Sequence, residues 1–307
     1  MSSDGNTDII TRKQAENFIT HGLHVELTSV QEPHAQNLDY LNRIIRSFLN
    51  KIPYHNFWYL SQPPEKRTMP EIQDAVQRVL SGAGGLCGTM NSTLFLILQA
   101  LGFSVYFVIA SVGVRDHDDH VIVVAENVAK TGDTYLVEVG FGSPTFKAVN
   151  LDFEKESDAV SLSFNTYKYV KRGEEFIRMH KTARAFERFP LNEGDWNMVY
   201  FFKLHPLTIE QAAEKMRQAY DKPTFFFRKV LRAVIFKNDI AIALKTEGGK
   251  QVMILQENRE KKLRLFKEYD VITQQEELVQ ELTDMFPMVP KSTIGQAIEN
   301  YGKTLHP

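Results

Sequence analysis

Cysteine is almost missing from this chain: its 307 residues include one, Cys87. A lone thiol forms no internal disulfide and builds no thiolate metal cluster, so no metal is expected, and Cys87 is either a small buried hydrophobe or a reactive group. An excess of one charge is missing too. With 36 basic and 38 acidic residues the formal net charge is −2, which leaves no electrostatic footprint for nucleic acid or an anionic membrane surface and points to small-molecule partners. No apolar run approaches the roughly 18 residues that a spanning helix needs. The first residues, Met1 to Thr11, are polar and carry Asp4 and Asp8 where a signal peptide would be basic and apolar, so a cytoplasmic protein is expected. In that compartment the Asn91-Ser92-Thr93 sequon reads as chance. Repeats and low-complexity tracts are absent, and 43% hydrophobic with 24% charged residues is globular composition with material for two or three small domains.

The elements that are present follow from periodicity. Leu38, Leu41, Ile44, Ile45, Phe48 and Ile52 recur at steps of three and four, one face of an amphipathic helix. Pro53, Pro63, Pro64 and Pro70 break the mainly helical first 85 residues into pieces, and Glu71 to Leu80 makes a further helix. An apolar helix should run from near Cys87 to Leu101 and stop at Gly102, a residue suited to the left-handed closing position. After it the pattern turns to short β-branched runs: Phe103–Val112, Val121–Ala125 and Tyr135–Val139, then Ser161–Phe164, Tyr167–Val170, Phe176–Met179 and Asp195–Leu204, with short links that favour antiparallel pairing. A helix over Thr208–Tyr220 follows. A hairpin joins Ala241–Leu244 to Gln251–Leu255 across Gly248-Gly249, and a final helix opens with a capping-box pattern from Thr273 to Glu276 and carries Leu278, Leu282 and Met285 on one face.

Three residues suggest chemistry. Cys87 follows Gly84-Gly85-Leu86 at the start of the apolar helix, where free amides and the helix dipole stabilise a thiolate; the alternative is a packing cysteine. His120, at the mouth of the strand Val121–Val124, is the best-placed base, ahead of His117 in the Asp116–Asp119 loop, unless it is a solvated loop residue. Glu138 is a charge in the apolar run Tyr135-Leu136-Val137-Glu138-Val139 that ends at Gly140 and Gly142, two glycines that let a ligand approach the backbone. It could accept a hydrogen bond from the second nitrogen of a catalytic imidazole; otherwise it is the polar face of a strand, a poorer fit because Leu136 shares that side.

Together these blocks resemble the arylamine N-acetyltransferases. Ala83-Gly84-Gly85-Leu86-Cys87 is similar to that family's Arg-Gly-Gly-x-Cys, His120-Val121-Ile122-Val123-Val124 to its His-led aliphatic strand, and Leu136-Val137-Glu138-Val139-Gly140-Phe141-Gly142 to its acid-bearing strand, in the family's order. Ile52-Pro53-Tyr54-His55-Asn56 and Tyr200-Phe201-Phe202-Lys203-Leu204-His205-Pro206 extend the resemblance over roughly residues 30 to 290.

The resemblance implies an α+β fold of three domains with a papain-like Cys-His-acid site: a helical domain at 1–102 carrying Cys87, a β-barrel-like domain at 103–206 carrying His120 and Glu138, and an α/β lid at 207–307. It implies a monomer that moves acetyl from acetyl-CoA through a Cys87 thioester to an arylamine or hydrazine, in ping-pong fashion and in xenobiotic metabolism. Phe141 would wall the acceptor and Gly140 and Gly142 would face the cofactor; Lys222 and Thr224, which do not match the family's coenzyme A segment, could still supply phosphate contacts.

Four departures bear on that expectation. Glu138 stands where the family usually has Asp. The family's Arg before Gly-Gly is Ala83 and its Glu in Pro-Phe-Glu-Asn is His55; if those two family residues form a buried ion pair, losing one would leave an unpaired charge, while losing both can be close to neutral. Thr89 replaces an acid or amide, beside an acidic approach to the histidine. Of the coenzyme A segment Thr-Ser-Pro-x-Ser-x-Phe only Pro223 and Phe227 remain. These leave room for a relative using malonyl-CoA or a carrier-bound chain, a degenerate acyl-CoA or aromatic-ligand binder, or a cysteine hydrolase.

Overall fold

The computed structural model describes residues 9–30, 32–182, 189–247 and 249–305. Most of the polar start, 1–8, and Gly248 of the hairpin turn lie outside the described residues.

The N-terminal third is helical: α1 (Arg12–Asn17), α2 (Ala35–Lys51), the two-residue strand β1 (Tyr54–His55), α3 (Phe57–Leu60), α4 (Ile72–Leu80) and α5 (Cys87–Leu101). In α2 the face set by the periodicity, Leu41, Ile44, Ile45 and Phe48, is fully buried, and the His34 side chain caps its start by accepting the Gln36 N–H. Almost every residue of α5 is buried, and Gly102 closes it at φ 99°, a left-handed value.

All the strands of the middle third join one nine-stranded sheet: β2 (Ser104–Val112), β3 (His120–Glu126), β4 (Thr134–Val137), β5 (Val149–Asn150), β6 (Val160–Leu162), β7 (Asn165–Arg172), β8 (Glu175–Lys181), β9 (Asn192–Glu193) and β10 (Trp196–Lys203). The order β5-β4-β3-β2-β10-β8-β7-β6 is antiparallel throughout, β9 pairs with β10, and the sheet curls into a half-barrel. Strand alternation sorts its residues. Val121, Val123 and Ala125 of β3 join the core built on α5, whereas Ile122, Val124, Val108 and Leu136 face inward with Tyr167, Tyr169 and Tyr200.

The last third holds α6 (Ile209–Asp221), β11 (Ala233–Lys237), β12 (Ile240–Glu247), β13 (Gln251–Glu257), β14 (Leu263–Asp270), α7 (Gln275–Met285) and α8 (Lys291–Thr304). Its sheet, β1-β11-β12-β13-β14, takes one strand from the N-terminal third. Asn56 fixes that join: its Oδ1 accepts the Arg232 N–H at 2.9 Å and its Nδ2 donates to the Val230 carbonyl at 2.7 Å. One apolar core therefore runs from the N-terminal helices through the C-terminal sheet.

Two sequence expectations are corrected here. The capping box from Thr273 does not form: Asp270 Oδ1 accepts the Ile272 and Thr273 N–H groups, so α7 starts only at Gln275 with no side-chain cap. Nor is α7 the final helix. After Pro290, α8 packs back on α3, its Asn300 Nδ2 donating to the Leu60 carbonyl at 3.0 Å.

Among the described residues no helix is long and apolar enough to cross a membrane.

Candidate active site

Cys87 is the first residue of α5, behind the N-cap Leu86, whose side chain makes no capping bond; the thiol residue is 3% exposed. His120 opens β3 opposite Ala110 of β2 and shares the inward side with Ile122 and Val124. Glu138 lies one residue beyond β4, on Leu136's side of the chain.

These three meet. His120 Nε2 donates to Glu138 Oε1 at 2.5 Å, and the ring is also hydrogen-bonded to Cys87, which leaves Nδ1 for the sulfur. Burial disfavours the imidazolium. The Glu138 carboxylate, the hydrogen bonds to Cys87 and Glu138 and the charge on Cys87 outweigh it and push the His120 pKa up to about 10. Burial opposes ionisation of Glu138 as well, but His120, Arg178 and the Tyr200 hydroxyl hold its carboxyl below the usual range.

Asn91 clips the carriers together. One helical turn beyond Cys87, it donates from Nδ2 to the Val121 carbonyl at 2.7 Å and accepts the Val139 N–H on Oδ1 at 3.1 Å, so one buried amide ties α5 to the residues beside both His120 and Glu138. The sequon asparagine is thus an internal fastener. Gly140 permits the close approach: a Cβ there would stand 2.9 Å from Cys87 Cα and from the Asn91 amide.

Behind Glu138 lies a polar network that the sequence reading missed. Glu138 Oε2 accepts from the Tyr200 hydroxyl at 2.7 Å and from Arg178 Nη1 at 3.2 Å; Tyr169 donates to Tyr200 at 2.9 Å, and Arg178 Nη1 also reaches the Tyr169 oxygen at 3.1 Å. Arg178 is fully buried, its guanidinium carbon 4.5 Å from the Tyr167 ring centre. Its Nε donates to His180 Nε2 at 2.9 Å, because burial and the neighbouring guanidinium push His180 well below its ordinary pKa and leave that nitrogen an acceptor. The available signal was Arg178 itself, a charge within the otherwise apolar stretch Phe176-Ile177-Arg178-Met179.

The remaining predicted residues are more scattered. Phe141 is half-buried, its ring centre 5.1 Å from that of His120, and it lines a cavity with Ser143, Asn165, His180 and Arg232. Gly142, at φ 71°, packs against the Tyr54 ring. Lys222 and Thr224 are exposed beyond α6, and Lys222 Nζ donates to the His117 carbonyl at 3.1 Å in the loop ahead of His120. That loop's acidity is answered locally: Lys215 pairs with Asp118 at 2.8 Å, and the Asp119 carboxylate accepts the Val112 N–H at 2.8 Å.

His55 and Ala83, two of the departures from the family's motifs, meet each other. His55 Nε2 donates to the Ala83 carbonyl at 2.7 Å and Nδ1 accepts the Phe57 N–H at 3.1 Å, while burial lowers the ring's pKa to about 4.

A family model described as N-acetyltransferase matches residues 37–284. The chain belongs to the arylamine N-acetyltransferase family. It is an acyltransferase enzyme. Solved members share its fold at low identity: the Mycobacterium abscessus arylamine N-acetyltransferase is 18% identical with a TM-score of 0.72, over 98% of this chain and 99% of that one. The Salmonella typhimurium enzyme is 16% identical with a TM-score of 0.70, over 94% and 99%. The Mycobacterium marinum enzyme, solved in complex with CoA, is 17% identical with a TM-score of 0.69, over 92% and 98%. Among curated proteins none matches. In this family setting the half-barrel and α5 form the frame on which Cys87, His120 and Glu138 converge.

Proposed function

We propose that this chain carries an acetyl group from acetyl-CoA on Cys87 and delivers it to an arylamine or hydrazine. The observation that supports this most is the buried hydrogen-bonded series Cys87–His120–Glu138 at the uncapped start of α5.

In the first half-reaction the Cys87 thiolate attacks the thioester carbonyl, and as the carbon–sulfur bond to CoA breaks, the departing thiolate takes the proton held by His120. In the second, neutral His120 removes a proton from the attacking amine, the amide forms, and Cys87 leaves as thiolate. Glu138 holds Nε2 and stabilises the imidazolium in the resting and final states. Phe141, edge-on to His120, serves as the apolar wall for the aromatic acceptor. Lys222 and Thr224 supply phosphate contacts, and the backbone at Gly140 and Gly142 lies along the acyl group's approach. The units 1–102, 103–206 and 207–307 meet at this site in a monomeric, cytoplasmic enzyme.

Steady-state kinetics with acetyl-CoA and a series of arylamines test the proposal: N-acetyl product and parallel double-reciprocal lines are expected. Thiol release without amide product marks a hydrolase, tight binding without thiol release a binder, and faster turnover of malonyl-CoA a different donor.

A further inference from the structure

Tyr220, the last residue but one of α6, has its ring fixed on two sides, stacked on Phe225 with centres 4.6 Å apart and edge-on to Tyr59 at 5.5 Å. Its backbone is held too, the carbonyl accepting from the Tyr59 hydroxyl at 3.0 Å. The residue is 1% exposed; its hydroxyl oxygen is set against the Gly88 N–H, and its proton meets no acceptor among the described residues. A buried, immobilised hydroxyl whose proton finds no acceptor is uncommon, because that donor has given up water for nothing in return. The hydroxyl lies 3.4 Å from where a Cβ on Gly88 would stand, and Gly88 follows Cys87 in the first turn of α5, where no side chain caps the helix.

We propose that the Tyr220 hydroxyl donates a hydrogen bond to the oxyanion formed when Cys87 attacks the thioester, making it a catalytic residue alongside Cys87, His120 and Glu138. It rests on Cys87 being the acylated residue. As the sulfur–carbon bond forms, the carbonyl π electrons move to oxygen, and a donor at the first turn of α5 meets that charge in place of water. The oxyanion keeps the negative charge until it collapses, expelling CoA thiolate, which takes the His120 proton. Tyr220 keeps its own proton throughout. Burial, with the Cys87 charge next in weight, pushes its pKa well above the ordinary value, so it stays a donor.

Tyr220→Phe removes this one oxygen. Single-turnover acylation by acetyl-CoA should fall about 10²–10³-fold, the usual loss for one oxyanion donor. Alkylation of Cys87 by iodoacetamide, a displacement that forms no oxyanion, should stay within about twofold, and the melting temperature should change little. Unchanged acylation overturns the proposal; alkylation falling in step with acylation also overturns it, since the hydroxyl then acts on the sulfur. Parent protein that takes up no acetyl group defeats the nucleophile assignment itself, which separates the two failures.

Discussion

Glu138 is one methylene longer than the acid its family usually places there, and the added reach is used at both ends. One oxygen meets His120 and the other meets Tyr200 and Arg178. Glu138→Gln should therefore act twice. The amide presents the wrong partner to Nε2, so acylation should fall by about 10⁴-fold. It also leaves the Arg178 charge buried without its carboxylate, at roughly 3–5 kcal/mol, which urea unfolding would register. Adding Arg178→Met to Glu138→Gln removes both charges and should recover most of the stability while the rate stays low. If the double variant is no more stable than the single one, Arg178 and Glu138 are not the coupled pair described. Glu138→Asp should lower the rate by less than Glu138→Gln, because the acid is kept and only its reach is cut.

At the scale of elements the site depends on how closely the segment after β4 lies on α5. Gly140→Ala would push a Cβ into Cys87 Cα and the Asn91 amide. A shift of about 1 Å there should cost on the order of 10²-fold in kcat/KM, since misplacement of that size uncouples the acid and base from the sulfur; a rate within a few fold of the parent's would show that the segment has slack. Much of this geometry was legible in sequence. The helix from Cys87 to Leu101, the strand that His120 opens and the strand that stops just before Glu138 follow local rules of period and punctuation, so those residues could be singled out before their contacts were known. The network of Arg178, Tyr169, Tyr200 and His180 was not. It comes from the curl of the sheet, which brings β7, β8 and β10 round to face the end of β4, and no local pattern encodes that curl. The cap of α7 failed for a local reason: Asp270 competes for the amides that Thr273 would have organised. Tyr220 fell correctly at the end of a predicted helix, but its meaning depends on α6 lying against α5.

Over the whole molecule two buried histidines pull the pH dependence of stability in opposite directions. His55 has a folded pKa of about 4 against 6.5 when unfolded. The unfolded chain therefore binds this proton first as pH falls. The contribution is present above 6.5 and is lost on the way down to 4, about 3 kcal/mol at 1.36 kcal/mol per unit. His180, held neutral beside Arg178, adds to that acid limb. His120 works the other way. Its folded pKa of about 10 makes its contribution complete below 6.5 and lost as pH rises through 10. Urea unfolding across this range should show a stability maximum near the ordinary histidine value; His55→Gln should flatten the acid limb and His120→Gln the alkaline one. Limbs unchanged by either variant would contradict these assignments.

The central claim, that Cys87 carries the acyl group, is tested most directly by intact and peptide-resolved mass after brief mixing with acetyl-CoA and acid quench. The account predicts a gain of about 42 Da, confined to the peptide containing Cys87, discharged by an arylamine and absent from Cys87→Ser. Amide product formed at full rate with no such adduct, or by Cys87→Ser itself, would contradict it.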